Sequence, residues 1–162
     1  MEQKEWEMIY ETYQKPLFLY ALSLTKNVQD AEDLLQETFI KAFLSYERTG
    51  SIKCWLVTVL KHEFFNLCRK RKREVSDDGK WEKIVPEETT IVDDMIKKEE
   101  RRILYYAIQE LPITAKEILM ESIYFQLKDE EIANMHGITQ ANVRKIRSRG
   151  KQKLIERLEG ER

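Results

Sequence analysis

The chain has 162 residues, 42% of them hydrophobic and 35% charged, with a net charge of −1. That size allows one domain or two small ones, and five Gly, three Pro and few alternating apolar runs make it predominantly helical. No apolar run approaches the roughly 18 residues of a membrane span, and Met1-Glu2-Gln3-Lys4-Glu5-Trp6 is no signal peptide, so a cytoplasmic protein is expected. Cys54 and Cys68 fall in one predicted helix about 21 Å apart at ~1.5 Å per residue, too far to pair with each other, and a reducing compartment is expected. His62 and His136 are scattered without metal-ligand spacing, so neither a metal nor another cofactor is expected.

Trp6 to Tyr13 reads as a first helix, with Pro16 at the start of the next, Leu17 to Leu24. Thr25-Lys26-Asn27 breaks the pattern. Asp30 is placed to cap a helix in which Ala31, Leu34, Leu35, Thr38, Phe39, Ala42 and Phe43 recur at the helical period as a core stripe. The opposite face carries Glu32, Asp33, Gln36, Glu37 and Lys41, with Ile40 near its edge; the residues alone read as a solvated acidic face. Tyr46 to Ser51 is a turn-like loop. From Ile52 a longer helix runs to about Arg73, with Trp55, Leu56, Val59, Leu60, Phe64 and Leu67 as its apolar members. Basic and aromatic residues interleave along it, the combination that holds single-stranded nucleic acid, although Trp55 and Phe64 taken singly read equally well as core.

Glu74 to about Asp93 is acidic, rich in turn residues and weakly periodic, which predicts a linker whose Trp81, Ile84 and Val85 are available to dock. Helical period returns with Met95, Ile96, Ile103, Leu104, Ala107 and Ile108, ending at Leu111-Pro112. Thr114 and Glu117 are spaced as a capping box for the next helix, whose core face is Ile118, Leu119, Ser122 and Ile123.

Leu127 to Leu154 is the most informative stretch. Asp129, Glu130 and Glu131 open a short helix where the helix dipole favours negative charge. Gly137 stops it and Thr139 caps a second helix, while Ile132, Ala133, Ile138, Val143 and Ile146 are spaced to pack the two together. This is a helix-turn-helix. Its second helix carries Gln140 and Asn142 at the start, then Arg144, Lys145, Arg147, Arg149, Lys151 and Lys153. Amides pair with adenine and guanidinium groups with guanine or phosphate, so this helix suits the major groove. The charge distribution agrees: Arg69 to Arg73 and Arg144 to Lys153 are basic, and Glu74 to Glu100 between them is acidic. The expected architecture is all-α: two small helical domains, 1–73 and 94–162, joined by an acidic linker, 74–93, with the helix-turn-helix in the second.

With these residues in view, the chain resembles a bacterial RNA polymerase sigma factor of the extracytoplasmic-function class over nearly its whole length. Ala31 to Phe43, AEDLLQETFIKAF, is similar to the family's polymerase-docking helix almost letter for letter. Trp55-Leu56 sits in the helix where the family reads and opens the −10 element. Leu111-Pro112 and Glu130-Glu131-Ile132-Ala133 match the start of the −35-reading domain and its helix-turn-helix. The resemblance implies that Asp33, Gln36, Glu37 and Ile40 dock the clamp coiled coil of the polymerase's largest subunit. It implies that the loop, through Tyr46, Arg48, Thr49 and Ser51, holds a base flipped out of the −10 element. Lys53, Trp55, Lys61, His62, Asn66 and Arg69 would complete that site, and Gln140, Asn142, Arg144, Lys145, Arg147, Ser148 and Arg149 would meet the −35 element.

The implied partners are core RNA polymerase (clamp coiled coil and flap), promoter DNA and an anti-sigma factor, which can be membrane-bound, with no small-molecule substrate. The chain departs from the family at several positions. His62 and Asn66 stand where Asn and Asp are usual, and Lys128 replaces a Ser cap, leaving Asp129 as the substitute. Ile146-Arg147 replaces a basic residue followed by an apolar one, giving Arg147 a direction of its own.

Two other classes compete. A one-component regulator with a ligand-binding N-terminal half accounts for Leu127 to Leu154 but leaves the docking helix and the basic–aromatic helix unexplained. An enzyme such as a nuclease would need a Gly-rich phosphate loop, a His/Cys cluster or a set of carboxylates beyond solvated faces, none of which the sequence offers.

Overall fold

In the computed structural model, which describes residues 2–46, 50–75 and 87–160 (backbone only at 73–75 and 87–90), the N-terminal apolar pattern forms one helix rather than two. This helix, α1 (Gln3–Thr25), continues through Pro16. A proline inside a helix removes a hydrogen bond and costs about 3 kcal/mol. Directly after it every residue from Leu17 to Ser23 is buried, and burying one large apolar side chain contributes about 1.5–3 kcal/mol. Leu17, Phe18, Leu19, Tyr20 and Leu22, packed in a single register, outweigh the proline. Lys26 ends α1 in the left-handed region at φ +55°, its N–H donating to the Leu22 carbonyl at 2.8 Å.

The second helix, α2 (Val28–Ser45), begins on Asn27, whose Oδ1 accepts the Asp30 N–H at 2.9 Å. Asp30, expected as the cap, lies inside the first turn. Its carboxylate is buried against both terminal nitrogens of Arg71, from α3 (Ile52–Val75). Ala31, Leu34, Leu35, Thr38, Phe39 and Ala42 are buried as the stripe required, but Phe43, expected beside them, is 47% exposed. α3 contributes Leu56, Val57, Val59 and Leu60 to the core. These three helices pack against one another, and an exposed Lys41–Glu63 ion pair also links α2 to α3.

The stretch expected as a linker is helical from Glu87 onward, in α4 (Glu87–Met95). Residues 76–86, with Trp81, Ile84 and Val85, lie outside the described residues. The chain divides into two compact units, Met1–Ile91 and Val92–Arg162. The second is built from the end of α4 with α5 (Glu99–Gln109), α6 (Ile113–Ile123), α7 (Asp129–His136) and α8 (Gln140–Gly160). Among the described residues the chain is all-α, with no strand. Ile118, Leu119, Met120, Ile132, Ala133, Val143 and Leu154 are buried where α6, α7 and α8 meet. Gly150 allows α8 to lie close on α6: a Cβ there would stand 2.9 Å from Leu119 Cδ1.

α6 has no side-chain cap; it starts after Pro112, and Thr114 is exposed inside its first turn. The expected Thr114–Glu117 capping box is therefore absent, and Glu117 instead faces His136. Met120 and Glu121 are fully buried, whereas Ser122 and Ile123, expected in the core, are half-buried.

Glu121 and His136 form a buried polar pair between α6 and α7, with His136 Nε2 2.8 Å from Glu121 Oε1 and 3.1 Å from Oε2. Breaking a buried pair by removing one partner is far more costly than replacing both with apolar groups. Leucine at Glu121 or at His136 alone is expected to destabilise the second unit by about 3–5 kcal/mol, and the double leucine variant to recover most of that loss. Hydrogen exchange in α6 and α7 of the full chain reads all three variants; simply additive losses would show that the two side chains do not act as a pair.

Candidate nucleic-acid interface and protein-docking face

Three helices present faces that their own packing leaves open. On α2, Asp33, Gln36, Glu37 and Ile40 recur at three- and four-residue intervals and all are exposed, Ile40 by 53%. Asp33 accepts a hydrogen bond from Gln29 Nε2 at 3.0 Å, one turn earlier. Beside this row lies an apolar groove of about 350 Å³, lined by Trp6, Tyr10, Gln36, Phe39, Ile40, Phe43 and Leu44. Trp6 packs on Phe39 and Phe43, with ring centroids 5.8 and 5.1 Å apart, and Tyr10 on Phe39 at 4.8 Å. Sequence reasoning missed the α1 side of this groove. The available signal was the surplus of apolar residues at Phe43 and Leu44, beyond what one core stripe needs.

On α3, Trp55, His62, Asn66 and Arg69 fall within an arc of about 60° and are all exposed, Trp55 by 37%. Phe65, 52% exposed, borders the same stripe and was not singled out from the sequence. Arg69 Nη2 donates to Asn66 Oδ1, so these two act together. Lys61 is half-buried on the flank. Lys53 is half-buried about 160° round the helix from Trp55, so the structure does not bring it to this stripe. Ahead of α3, Tyr46 packs on Trp55 with centroids 6.2 Å apart and donates to the Gly50 carbonyl at 2.6 Å. Ser51 Oγ accepts the Cys54 N–H at 3.3 Å and so caps the helix. Arg48 and Thr49 lie outside the described residues.

The helix-turn-helix is built as its sequence demands. Gly137 ends α7 at φ +66°, and Thr139 Oγ1 caps α8 by accepting the Asn142 N–H at 3.1 Å. Arg144, Ser148, Lys145 and Arg149 are exposed within an arc of about 140° on α8, and Gln140 and Asn142 are exposed at its start. Arg147 is different. Its fork closes on Asp129, Nη1 on Oδ1 and Nη2 on Oδ2 at 3.2 Å, and its side chain is only 21% exposed. Asp129 is therefore not the substitute cap of α7; Glu131 Oε1 reaches back to the Lys128 N–H at 2.9 Å instead. The hydrogen bonds from Arg147 hold the Asp129 carboxyl below its ordinary range, against the opposing effect of burial, and the same bonds raise Arg147.

Glu117, Glu121 and His136 are the one group of metal-ligand type gathered among the described residues. The two imidazole nitrogens face different carboxylates, Nε2 toward Glu121 and Nδ1 toward Glu117 at 4.0 Å. The imidazole of α7 therefore lies between two carboxylates carried one turn apart on α6.

Comparison with known proteins identifies the family of the chain. The family models for Sigma-70 region 2 and Sigma-70 region 4 match residues 9–74 and 101–154. The ECF RNA polymerase sigma factor SigM of Bacillus subtilis is 30% identical over 162 aligned positions, covering 90% of this chain and 90% of that protein. SigX of the same organism is 22% identical, covering 97% and 85%. Among solved structures, the sigma factor RpoE of Bartonella quintana in complex with the anti-sigma factor NepR superposes with a TM-score of 0.73 at 26% identity, covering both chains completely. The chain belongs to the extracytoplasmic-function RNA polymerase sigma factors. It is a transcription initiation factor that binds core RNA polymerase and directs it to promoters, so the one-component-regulator and enzyme readings fall. No helix among the described residues is long and apolar enough to cross a membrane.

The Asp129–Arg147 pair has a definite pH signature. Because the carboxyl is depressed in the folded state, its stabilisation is present above its ordinary value of 3.8 and is lost as pH falls through the lower folded-state value. Asp129→Asn is expected to lower stability by under about 1 kcal/mol near neutrality, since both groups keep contact with solvent. The gap should close in acid below pH 3.8. Urea midpoints of parent and variant across the acid range check this, and a gap that persists in acid would assign the effect to packing.

Proposed function

We propose that residues 1–73 dock the polymerase and read the −10 element, that 74–93 is the linker, and that 94–162 reads the −35 element, in the cytoplasm where the polymerase works. One observation carries the docking assignment: Asp33, Gln36, Glu37 and Ile40 stand together on the outward side of α2, next to an exposed apolar groove. Charge fixes orientation and speeds encounter while desolvated apolar side chains supply affinity, so the carboxylates and the groove divide those tasks against the clamp coiled coil of the largest subunit. The flap of the polymerase is assigned to the second unit.

For the −10 element, the stripe of Trp55, His62, Asn66 and Arg69, with Phe65, offers stacking surface and cations to a single strand. Extruding one base costs a few kcal/mol, which these contacts offset while Tyr46, Arg48, Thr49 and Ser51 hold the flipped base. Lys61 serves phosphate, and Lys53 contributes least because it lies on the other side of α3. For the −35 element, Gln140, Asn142, Arg144, Lys145, Ser148 and Arg149 meet the major groove, and Arg147 supports them from beneath. An anti-sigma factor is the natural antagonist, as NepR is bound by RpoE and the cytosolic domain of CnrY by CnrH, a structure of the same fold with a TM-score of 0.67 at 15% identity.

Reversing the charge of Asp33 and Glu37 together is expected to abolish binding to core polymerase while stability changes by less than about 0.5 kcal/mol, as for other surface substitutions. Co-purification with core enzyme and thermal unfolding test the two halves of that statement; a large loss of helicity would return these residues to the fold. Alanine at Arg144, Lys145, Ser148 or Arg149, assayed as holoenzyme on −35 variants, is expected to cost roughly 1–3 kcal/mol at one base pair where a base contact is lost. Where a phosphate contact is lost, all sequences weaken alike. Uniform weakening at all four sites would show that this face does not read sequence.

A further inference from the structure

We propose that Asp129 is a positioning residue for promoter recognition: it holds Arg147 as a strut, away from the bases, and sets the direction of Arg144, which reads them. The proposal rests on the reading of α8 as the −35 recognition helix.

Asp129 opens α7, the first helix of the helix-turn-helix, while Arg144 and Arg147 lie one turn apart on the second. The carboxylate meets both. Its two oxygens engage the two terminal nitrogens of Arg147, and Oδ2 also stands 3.8 Å from Arg144 Nη1. An arginine reads guanine by presenting its fork to O6 and N7. The fork of Arg147 is already occupied by a carboxylate that cannot be given up without breaking a charge-assisted bidentate pair. Arg144 is held only through one nitrogen at long range and its side chain is 55% exposed. It keeps its capacity to donate, while the carboxylate beneath it limits where it swings.

The sequence carries both halves of this device. Arg147 stands where the helix turns toward α7, about 40° from the buried stripe of Val143, and Asp129 stands where α7 begins. The carboxylate has a second consequence. As a negative charge beside a DNA-binding face it weakens attraction to phosphate of any sequence. Removing it therefore pushes two observables in opposite directions: binding to arbitrary DNA rises, because two guanidinium groups are released, and discrimination at the −35 element falls. Loss of a merely structural contact would weaken binding to every sequence together.

The test uses holoenzyme assembled from core polymerase and the full chain, with binding measured on a promoter, on each of its −35 single-base-pair variants and on non-promoter duplex. Asp129→Ala is expected to reduce the ratio of matched to mismatched affinity about tenfold at one −35 base pair and to raise affinity for non-promoter duplex. Asp129→Asn, which keeps the shape and removes the charge, should act in the same direction should the alanine variant fold poorly. Arg144→Ala should lose the same preference, and adding Asp129→Ala to it should change the ratio no further. The proposal is overturned if Asp129→Ala weakens matched and mismatched promoters equally, or if its effect on the ratio adds in full to that of Arg144→Ala. A parent holoenzyme indifferent to the −35 sequence would overturn the reading of α8 and the proposal with it, whereas a parental preference that both Asp129 variants leave intact overturns the proposal alone.

Discussion

The close approach of α8 to α6 at Gly150 governs what the second unit can present. Any side chain at that position would press on Leu119, and Val143 and Leu154, two turns before it and one turn after it, are buried on the same side. Together they fix the rotation of α8 about its own axis. Arg144, Lys145, Ser148 and Arg149 then point outward, and Arg147 falls at the edge of the seam where only α7 can meet it. The left-handed Gly137 sets how α7 arrives. Substituting either glycine would shift the outward face of α8 or its approach to α7 without touching a side chain on that face.

Charged residues serve this fold in two distinct ways. Asp30 with Arg71, Asp129 with Arg147 and Glu121 with His136 each join two helices and lie at least partly out of water. Such pairs add little net stability, because desolvation offsets much of their attraction. Their effect is to define which turn of one helix faces which turn of the next. Arg71 is instructive here: it belongs to the basic run Arg69 to Arg73, yet its fork is committed to the start of α2. Charge on this chain therefore cannot be read as DNA-binding surface residue by residue.

In the first unit the division is between the two sides of α2. Its inward stripe is buried against α1 and α3, while Ile40, Phe43 and Leu44 remain in solvent beside Asp33, Gln36 and Glu37. A contiguous exposed apolar patch with a charged border is a mark of association with another protein, and Phe39, in the core, forms part of its wall. The same economy recurs on α3, whose buried Leu56 and Leu60 turn Trp55, His62, Asn66 and Arg69 outward.

The extents of α2 and α3, the Thr139 cap, the Gly137 stop and the outward faces of α2 and α8 were legible in the sequence. Each depends on residues within one or two turns of one another, where periodicity and capping chemistry act. The continuity of α1 through Pro16 was not legible, since local rules favour a break there and only burial of Leu17 to Ser23 against other helices overrides them. Nor were the ion-pair partners: Arg71 and Asp30 are 41 residues apart, Arg147 and Asp129 18, and His136 and Glu121 15. Nothing in a local pattern specifies such pairings. The sequence by itself determined an all-α sigma factor with an acidic-faced second helix and a helix-turn-helix; tertiary structure alone decided that the fork of Arg147 closes on Asp129 and that Phe43 lines a groove rather than the core, because both follow from where a second helix lies.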